Sequence, residues 1–525
     1  MDCEPTNPKM TVLNESLVKI TRGTGVAFVG SLVGLFLAFI GRVLVARYGT
    51  EADYGIFSLA YVLLNICAVI AALGLQQGAT RSIAYARGEN DAEKVRKLIP
   101  AAVQFGLAAG IVLGVIVFFT ADVVAARVFH DAGLAAPLKI CALGIPFFTL
   151  VYVFAAIFRG FDDVKPMVYL QNVLRNLLFL VFLLPLIFLH LSFTGVFYAF
   201  LASLVICCVV LVIYAVKRLP SPVEFPLRLS IEPVARELLF FSLPLLGVAM
   251  LSLIVAWTDT LMLGGFRTSA EVGLYSAALP LAQFISMLIG AMALIYLPVA
   301  SGLYARGAMA EIRKNLSILT KWLCSATLPI FFILFLFPET VLGFLFGAGY
   351  TPAAMALRIL SLGLIIHNLL GLSSVTLIAM GEARFMMRAT LAGAVLNIGL
   401  NLALIPPFGI EGAAIASIAS ITSVDLICCG KLYSLGRAQP LSRNLLKPTL
   451  ASLALVFLFQ FIFGNFVTVT WWMLPLLFVL YYVIYGLAVL LTRSFDKEDI
   501  AMLLALEKKL GVNLTAIKKI LGRFV

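Results

Sequence analysis

The sequence predicts an all-α, polytopic membrane protein, and three observations support that fold class. Of its 525 residues, 62% are hydrophobic and only 12% are charged, whereas a water-soluble protein carries roughly a quarter charged residues. The apolar residues lie in long runs, many of them close to the roughly 20 residues that one helical crossing of a bilayer needs. Most connections between these runs are short, so we expect no large soluble domain.

Fourteen apolar segments are long enough to span a membrane, and each is predicted to form one transmembrane helix. In chain order they lie at 22–47, 54–79, 99–119, 135–158, 167–189, 194–216, 238–263, 273–300, 317–337, 353–379, 389–406, 410–430, 448–467 and 470–491. We expect an N-lobe of helices one to six over 1–236 and a C-lobe of helices seven to twelve over 237–447. Helices thirteen and fourteen occupy 448–492, and a cytoplasmic amphipathic tail occupies 493–525.

Positive charges predict the orientation of these helices. If both termini and every second loop lie on one side of the membrane, that side holds 30 of the 38 Lys and Arg residues. Because cytoplasmic loops carry an excess of Lys and Arg, both termini are expected to be cytoplasmic. The same loops explain the net charge of +12, which therefore does not indicate nucleic acid as a partner.

An internal repeat relates the two predicted lobes, with every matching stretch offset by 218 to 221 residues. The matches are Gly55 with Gly273, YARG at 85–88 with YARG at 304–307, LKICALG at 138–144 with LRILSLG at 357–363, and Asn176 with Asn397. Six helices per repeat is an even number, so both lobes have the same orientation in the membrane. The sequence therefore predicts a parallel repeat about an axis along the membrane normal.

Motifs for metal binding, cofactor binding and catalysis are missing from the sequence. The eight cysteines form no C-x-x-C pattern and the three histidines are scattered, so neither disulfides nor a metal site is predicted. No Walker loop occurs, which argues against ATP hydrolysis. The outer loops are too short for the catalytic segment of a glycosyltransferase or glycan polymerase. We therefore expect no catalytic residue and no cofactor.

Charged side chains deep in predicted helices are the candidate functional residues, since each costs at least about 2.5–3.5 kcal/mol at the centre of a membrane helix. Arg42 lies about 7–8 Å inside the outer end of the first helix, and Arg175 about 13 Å from the cytoplasmic end of the fifth. By the repeat, Arg42 corresponds to Thr260, so Asp259 lies at a similar depth in the other lobe. We interpret Arg42, Arg175 and Asp259 as parts of an inter-lobe cavity that binds an anion such as a phosphate.

Three further basic residues lie nearer the outer helix ends, and two interpretations stay open for each. Arg47, at the end of helix one, either binds the same anion or snorkels to the outer headgroups. Lys139 and Arg358 correspond to each other across the repeat. They either guide an anionic headgroup at the outer rim or, more simply, snorkel from their helix ends.

The remaining polar residues within the predicted helices have simpler explanations. For Asp425, protonation or a hydrogen bond to a neighbour is sufficient, and a role in proton or sodium coupling is the alternative. His367 is interpreted as a satisfied polar residue rather than a proton relay. Asn172 and Asn176, four residues apart on one helical face, are expected to form interhelical hydrogen bonds.

The order and spacing of five stretches carry a family resemblance. They read GRVLVARYGTEADYGIFSLAYVLLN at 41–65, FSLPLLGVAM at 241–250, then WTDTLMLGGF and VGLYSAALPL, and ALRILSLG at 356–363. In this order they resemble Wzx-type oligosaccharide-lipid flippases of the multidrug/oligosaccharidyl-lipid/polysaccharide (MOP) superfamily, over helices one to twelve. The resemblance implies a MATE-like two-lobe bundle that alternates between inward- and outward-facing states, with Arg42, Arg47 and Arg175 as the positions that engage phosphate.

Residues and resemblance together predict a flippase in the cytoplasmic (inner) cell membrane. It would move a polyprenyl-phosphate- or pyrophosphate-linked oligosaccharide from the cytoplasmic to the outer leaflet by alternating access. Its expected partners are that glycan lipid, the membrane lipids and a coupling ion (H⁺ or Na⁺), and it is expected to act as a monomer and not as an enzyme. The alternatives are a cation-coupled multidrug exporter of the same superfamily and a lipid II flippase.

Overall fold

A computed structural model describes residues 30–219, 233–436, 438–440, 454–455, 458–459, 461 and 469–491. Over these residues the chain is helical and contains no strand, which confirms the all-α class. Most of the predicted helix thirteen and the tail at 493–525 lie outside the described residues, as does the linker at 220–232. The orientation of the termini therefore stays a prediction.

The chain divides into two compact units, residues 1–273 and 274–525. The helices that begin in the first unit are α1 Gly30–Tyr48, α2 Glu51–Ala71, α3 Leu75–Gly88, α4 Ala92–Val123, α5 Ala135–Gly160, α6 Arg175–Phe188, α7 Thr194–Arg218, α8 Pro233–Phe266 and α9 Ser269–Ala305. Helix α5 is the most buried of them and packs against α2, α3, α4 and α7. The predicted lobe boundary between residues 236 and 237 stays a prediction.

The second unit contains the rest of α9 and six further helices. They are α10 Met309–Leu336, α11 Pro338–Leu345, α12 Ala354–Leu370, α13 Leu372–Ala379, α14 Ala383–Gly436 and α15 Met473–Leu491. Helix α12 packs against α10 and α14. The starts of α4 and α10 differ by 217 residues and those of α5 and α12 by 219, so the helices recur close to the spacing of the sequence repeat.

Within the described residues, eleven helical segments are long and apolar enough to cross a membrane. They cover the first twelve predicted spans, because α14 alone contains two of them. At 54 residues, a straight α14 would be about 81 Å long, far more than the ~30 Å hydrocarbon core. The full number of fourteen spans stays a prediction.

Helix α14 is a hairpin of two antiparallel arms. The chain turns at Gly409, with φ 57° and ψ −128°, directly after Pro406 and Pro407. Asn397 on the first arm donates to Ser420 on the second at 3.4 Å, and a Cβ on Gly412 would stand 2.2 Å from the carbonyl oxygen of Leu404. The two arms are thus the separate eleventh and twelfth spans.

Replacing Gly409 with alanine is expected to destabilise the protein, because a side chain is strained at this φ and ψ by about 1–3 kcal/mol. The melting temperature of the detergent-purified protein should fall. Gly399→Ala on the same helix is the matched control, since nothing lies within 4 Å of a Cβ built there. A Gly409→Ala variant that melts with the wild type would contradict the strained turn.

Two glycines that the repeat equates meet each other at the start of α2 and α9. A Cβ on Gly55 would stand 1.7 Å from the carbonyl oxygen of Ser269, and a Cβ on Gly273 would stand 2.0 Å from that of Glu51. Both obstructing atoms belong to the backbone, so no side-chain rotation could relieve the overlap. The close approach of α2 and α9 therefore requires glycine at both positions.

Candidate functional site

Arg175 is positioned by an irregular stretch of helix. It begins α6 directly after the π-helical turn Met167–Leu174, the kind of insertion that re-aims side chains and is frequent at functional sites. Its Cζ lies 5.2 Å from the centre of the Phe148 ring on α5, within cation–π distance. One Nη lies 3.4 Å from Oδ1 of Asn176. Its Nε is buried and has no hydrogen-bond partner among the described residues.

Arg42 approaches the same region from α1. Its half-buried side chain places Cζ 5.9 Å from the centre of the Tyr61 ring on α2. The Tyr61 phenol interacts electrostatically with both Arg42 and Arg175. The structure therefore brings together the two deep arginines, which lie 133 positions apart in the sequence, around one tyrosine.

A set of hydrogen bonds and ring contacts holds Tyr61 in place. The side chain of Asn65 donates to the backbone oxygen of Tyr61 at 2.9 Å and accepts from the hydroxyl of Tyr152 at 3.2 Å. Tyr152 stacks on Phe148 with ring centres 4.8 Å apart. We call Arg42, Tyr61, Asn65, Tyr152 and Arg175 the arginine–tyrosine cluster. Because α2 and α5 are both well buried, its scaffold is rigid.

Close packing of α1 against the start of α6 fixes the two arginines relative to each other. Asn176 donates to the backbone oxygen of Gly34 at 3.0 Å, and Asn172 donates to the hydroxyl of Ser31 at 3.4 Å. A Cβ on Gly34 would stand 2.8 Å from Asn172, so glycine permits this approach. The two asparagines form the interhelical hydrogen bonds predicted from the sequence.

The arginine–tyrosine cluster carries positive charge without a matching carboxylate. Within the part of the chain that the structure describes, no acidic side chain lies at ion-pair distance from Arg42 or Arg175. Two guanidinium groups in a low-dielectric interior favour an anion over any neutral or cationic ligand. With its fork of donors, guanidinium also matches the geometry of a phosphate.

Asp259 and Arg47 lie at the borders of this region. Asp259 is buried on α8, with 6% of its surface exposed, two residues after Trp257, whose ring meets Tyr61 edge on at 6.4 Å. Helix α8 therefore flanks the cluster, and a role for Asp259 in binding stays a prediction. Arg47 is exposed in the last turn of α1, where a cation complements the helix dipole.

Lys139 and Arg358 each form an ion pair with a carboxylate on a neighbouring helix. Lys139 Nζ lies 2.8 Å from Asp122, and Arg358 lies 2.9 Å from Glu339 and donates to the backbone oxygen of Phe335. These contacts recur at equivalent positions of the repeat. The geometry thus gives both residues a structural partner, which a lipid headgroup would have to displace.

The aromatic members of the cluster escaped the sequence analysis. Tyr61 and Asn65 are four residues apart on one helix, as are Phe148 and Tyr152, so each pair shares a helical face. That spacing is common in any buried helix, and it becomes informative only when the deep arginines are known to face it.

Two family models match the chain. The model described as polysaccharide biosynthesis protein matches residues 20–303, and the MatE model matches residues 244–403. Among curated proteins, the probable low-salt glycan biosynthesis flippase Agl15 of Haloferax volcanii is 24% identical over 398 residues, which cover 75% of this chain and 79% of that protein.

Solved structures show the same fold. The lipid II flippase MurJ in an inward closed conformation aligns with a TM-score of 0.65 at 17% identity, covering 89% of this chain and 98% of that one. An inward-facing multidrug resistance MATE family transporter of the MOP superfamily aligns with a TM-score of 0.63 at 18% identity, covering 77% and 96%. At these identities the likeness concerns the fold.

Proposed function

This chain belongs to the polysaccharide biosynthesis protein family within the MOP flippase superfamily, and from that premise we propose that it flips a lipid-linked oligosaccharide. The cargo is a polyprenyl-phosphate- or pyrophosphate-linked glycan. It moves from the cytoplasmic to the outer leaflet of the cytoplasmic membrane by alternating access, and the protein acts as a transporter rather than as an enzyme.

The arginine–tyrosine cluster is the observation that supports this proposal. A glycan lipid carries its negative charge at the phosphate, between the sugar and the lipid tail, and that charge is the main barrier to crossing hydrocarbon. Arg42 and Arg175 supply two guanidinium groups beside one buried tyrosine. The unpartnered Nε of Arg175 leaves a donor for a phosphate oxygen. The glycan then travels through a hydrated cationic cavity, while the lipid tail stays in the bilayer.

A flipping assay with matched cargoes tests the proposal. Proteoliposomes would contain a fluorescent polyprenyl-diphosphate oligosaccharide, and the label reaching the far leaflet would be followed with a membrane-impermeant quencher. We expect the protein to accelerate this lipid well above empty vesicles and to leave the uncharged prenyl glycoside near that background. Equal acceleration of the charged and uncharged lipids would overturn the role of the phosphate.

A cation-coupled multidrug exporter is the second candidate, because the MatE model matches residues 244–403. Such an exporter would bind cationic drugs, which the two guanidinium groups of the cluster repel. The same vesicles distinguish the candidates: a cationic dye should cross at the background rate, whereas rapid dye transport without movement of the glycan lipid would favour the exporter. Lipid II, added as a third cargo, tests whether the glycan is a peptidoglycan precursor.

A further inference from the structure

His367 and Asp425 form a buried acid–base pair in the second unit. Nδ1 of His367 on α12 lies 2.7 Å from Oδ2 of Asp425 on the second arm of α14. The Asp425 side chain is 4% exposed and that of His367 is 25% exposed. One partner is thus sealed inside the protein while the other has access to its exterior. The binding of an anion at the arginine–tyrosine cluster makes no use of this pair.

Packing holds the imidazole in one place. A Cβ on Gly371 would stand 2.8 Å from Cε1 of His367 and equally close to the side chain of Ile289 on α9, so the ring fills a notch above a glycine. The next residue, Asn368, donates to Ile285 at 2.8 Å and to Thr327 at 3.1 Å. Helix α12 is therefore pinned to α9 and α10 at the level of the histidine.

The described titratable groups on the surrounding helices are neutral thiols and phenols, or charges engaged elsewhere. They are Cys428 and Cys429 beside Asp425 on α14; Glu382, 3.9 Å from Lys431 of α14; Lys321, which has its own partner, and Cys324 on α10; Tyr296 on α9, bonded to Thr376; Tyr350 in the turn before α12; and Glu339 on α11, paired with Arg358. Helix α13 contributes none.

The charge of the pair depends on the number of protons it binds. With one proton shared between imidazole and carboxylate the pair is neutral overall. Losing that proton leaves a lone carboxylate inside a membrane protein, and gaining a second leaves a lone imidazolium, and both states are costly to bury. Proton exchange therefore requires a conformation that wets the pair, which is the property of a site coupled to conformational change.

We propose that His367 and Asp425 together form the proton-binding site that couples transport by this chain to a proton gradient. The inference rests on the proposed function, since cargo movement is the work that the proton drives. A proton enters from one side through the partly exposed imidazole and is held between Nδ1 and Oδ2. It leaves to the other side once the protein has changed conformation.

Proton binding can be measured without transport. The chain has three histidines, so ¹⁵N-histidine labelling in lipid nanodiscs yields three imidazole signals, and the one lost in His367→Gln is assigned. We expect Asp425→Asn to move the pH midpoint of the His367 signal and to leave those of His130 and His190 in place. An unchanged His367 midpoint would overturn the coupled pair.

Coupling is measured with the glycan-lipid vesicles of the flipping assay. One pH unit across the membrane should shift the steady-state leaflet distribution by up to about tenfold for one proton per cargo. The ratio with and without the gradient is expected to fall to one in Asp425→Asn and His367→Gln. His190→Asn, which changes an exposed histidine, should keep the wild-type ratio. Because each variant is compared with itself, partial loss of folded protein cancels.

The outcomes separate the two proposals. If the wild type moves no glycan lipid, the proposed function fails and the nuclear magnetic resonance titration alone decides proton binding. If the wild type flips the lipid but ignores a pH gradient, responds to a Na⁺ gradient instead, or keeps its pH response in Asp425→Asn, then only the proton site is overturned.

Discussion

Replacing Arg175 with methionine is expected to abolish transport of the glycan lipid while leaving the protein at least as stable as the wild type. The guanidinium lies inside the first unit without a carboxylate partner, and its Nε is buried and unbonded. Replacing buried ionic groups with apolar residues of similar volume is often neutral or stabilising by about 1–4 kcal/mol. A phosphate, in contrast, loses a charged donor, so we expect the flipping rate to fall at least about tenfold.

Two measurements on the same preparation check this result: the melting temperature in detergent and the initial flipping rate in vesicles. Arg42→Met should behave in the same way, because both guanidinium groups face Tyr61. Arg127→Met is the matched control, since that arginine is exposed outside the cluster, and it should flip normally. If melting temperature and transport fell together in Arg175→Met, Arg175 would be a structural residue and the anion site would be refuted.

Enlarging Gly55 is expected to reduce transport in proportion to the size of the new side chain. Even alanine would place a carbon 1.7 Å from the carbonyl oxygen of Ser269, so α2 and the start of α9 must separate. Overpacking of this kind costs about 1–3 kcal/mol, which corresponds to about a tenfold or greater loss of the closely packed state. Gly55→Leu should be more severe than Gly55→Ala, and Gly273→Ala should match Gly55→Ala.

Gly290→Ala is the control for this series, because it lies on α9 with nothing within 4 Å of the added carbon. It should keep both the transport rate and the melting temperature of the wild type. Gly55→Leu with wild-type transport would show that the approach of the two helices plays no part in the transport cycle.

Sequence patterns predicted the fold well because a bilayer imposes one strong rule. Backbone groups in hydrocarbon must be bonded within the segment, so apolar runs of spanning length become helices. The eleventh and twelfth segments are an example: the sequence separated them at Pro406 and Pro407, and the structure places the turn at Gly409. In contrast, the π-helical turn before Arg175 leaves no mark in hydropathy, since it changes the backbone without changing composition.

The candidate site was predictable in its charges and not in its contacts. Depth in a helix singled out Arg42 and Arg175, and the structure brings both to Tyr61. Lys139 and Arg358 were identified by the same reasoning, yet each lies beside a carboxylate. The pairing of His367 with Asp425 joins residues 58 positions apart. Such contacts depend on how helices pack side by side, which one sequence does not reveal.

The twin ion pairs of Lys139 with Asp122 and Arg358 with Glu339 say something about descent. The two partners are separated by 17 residues in the first copy and 19 in the second, so the contact outlasted a change in the length of the connecting segment. An ancestor of half this size therefore already carried an acid–base clasp between its third and fourth helices. Two such ancestral chains, inserted side by side in the same direction, would have formed the symmetric dimer that gene fusion later made permanent.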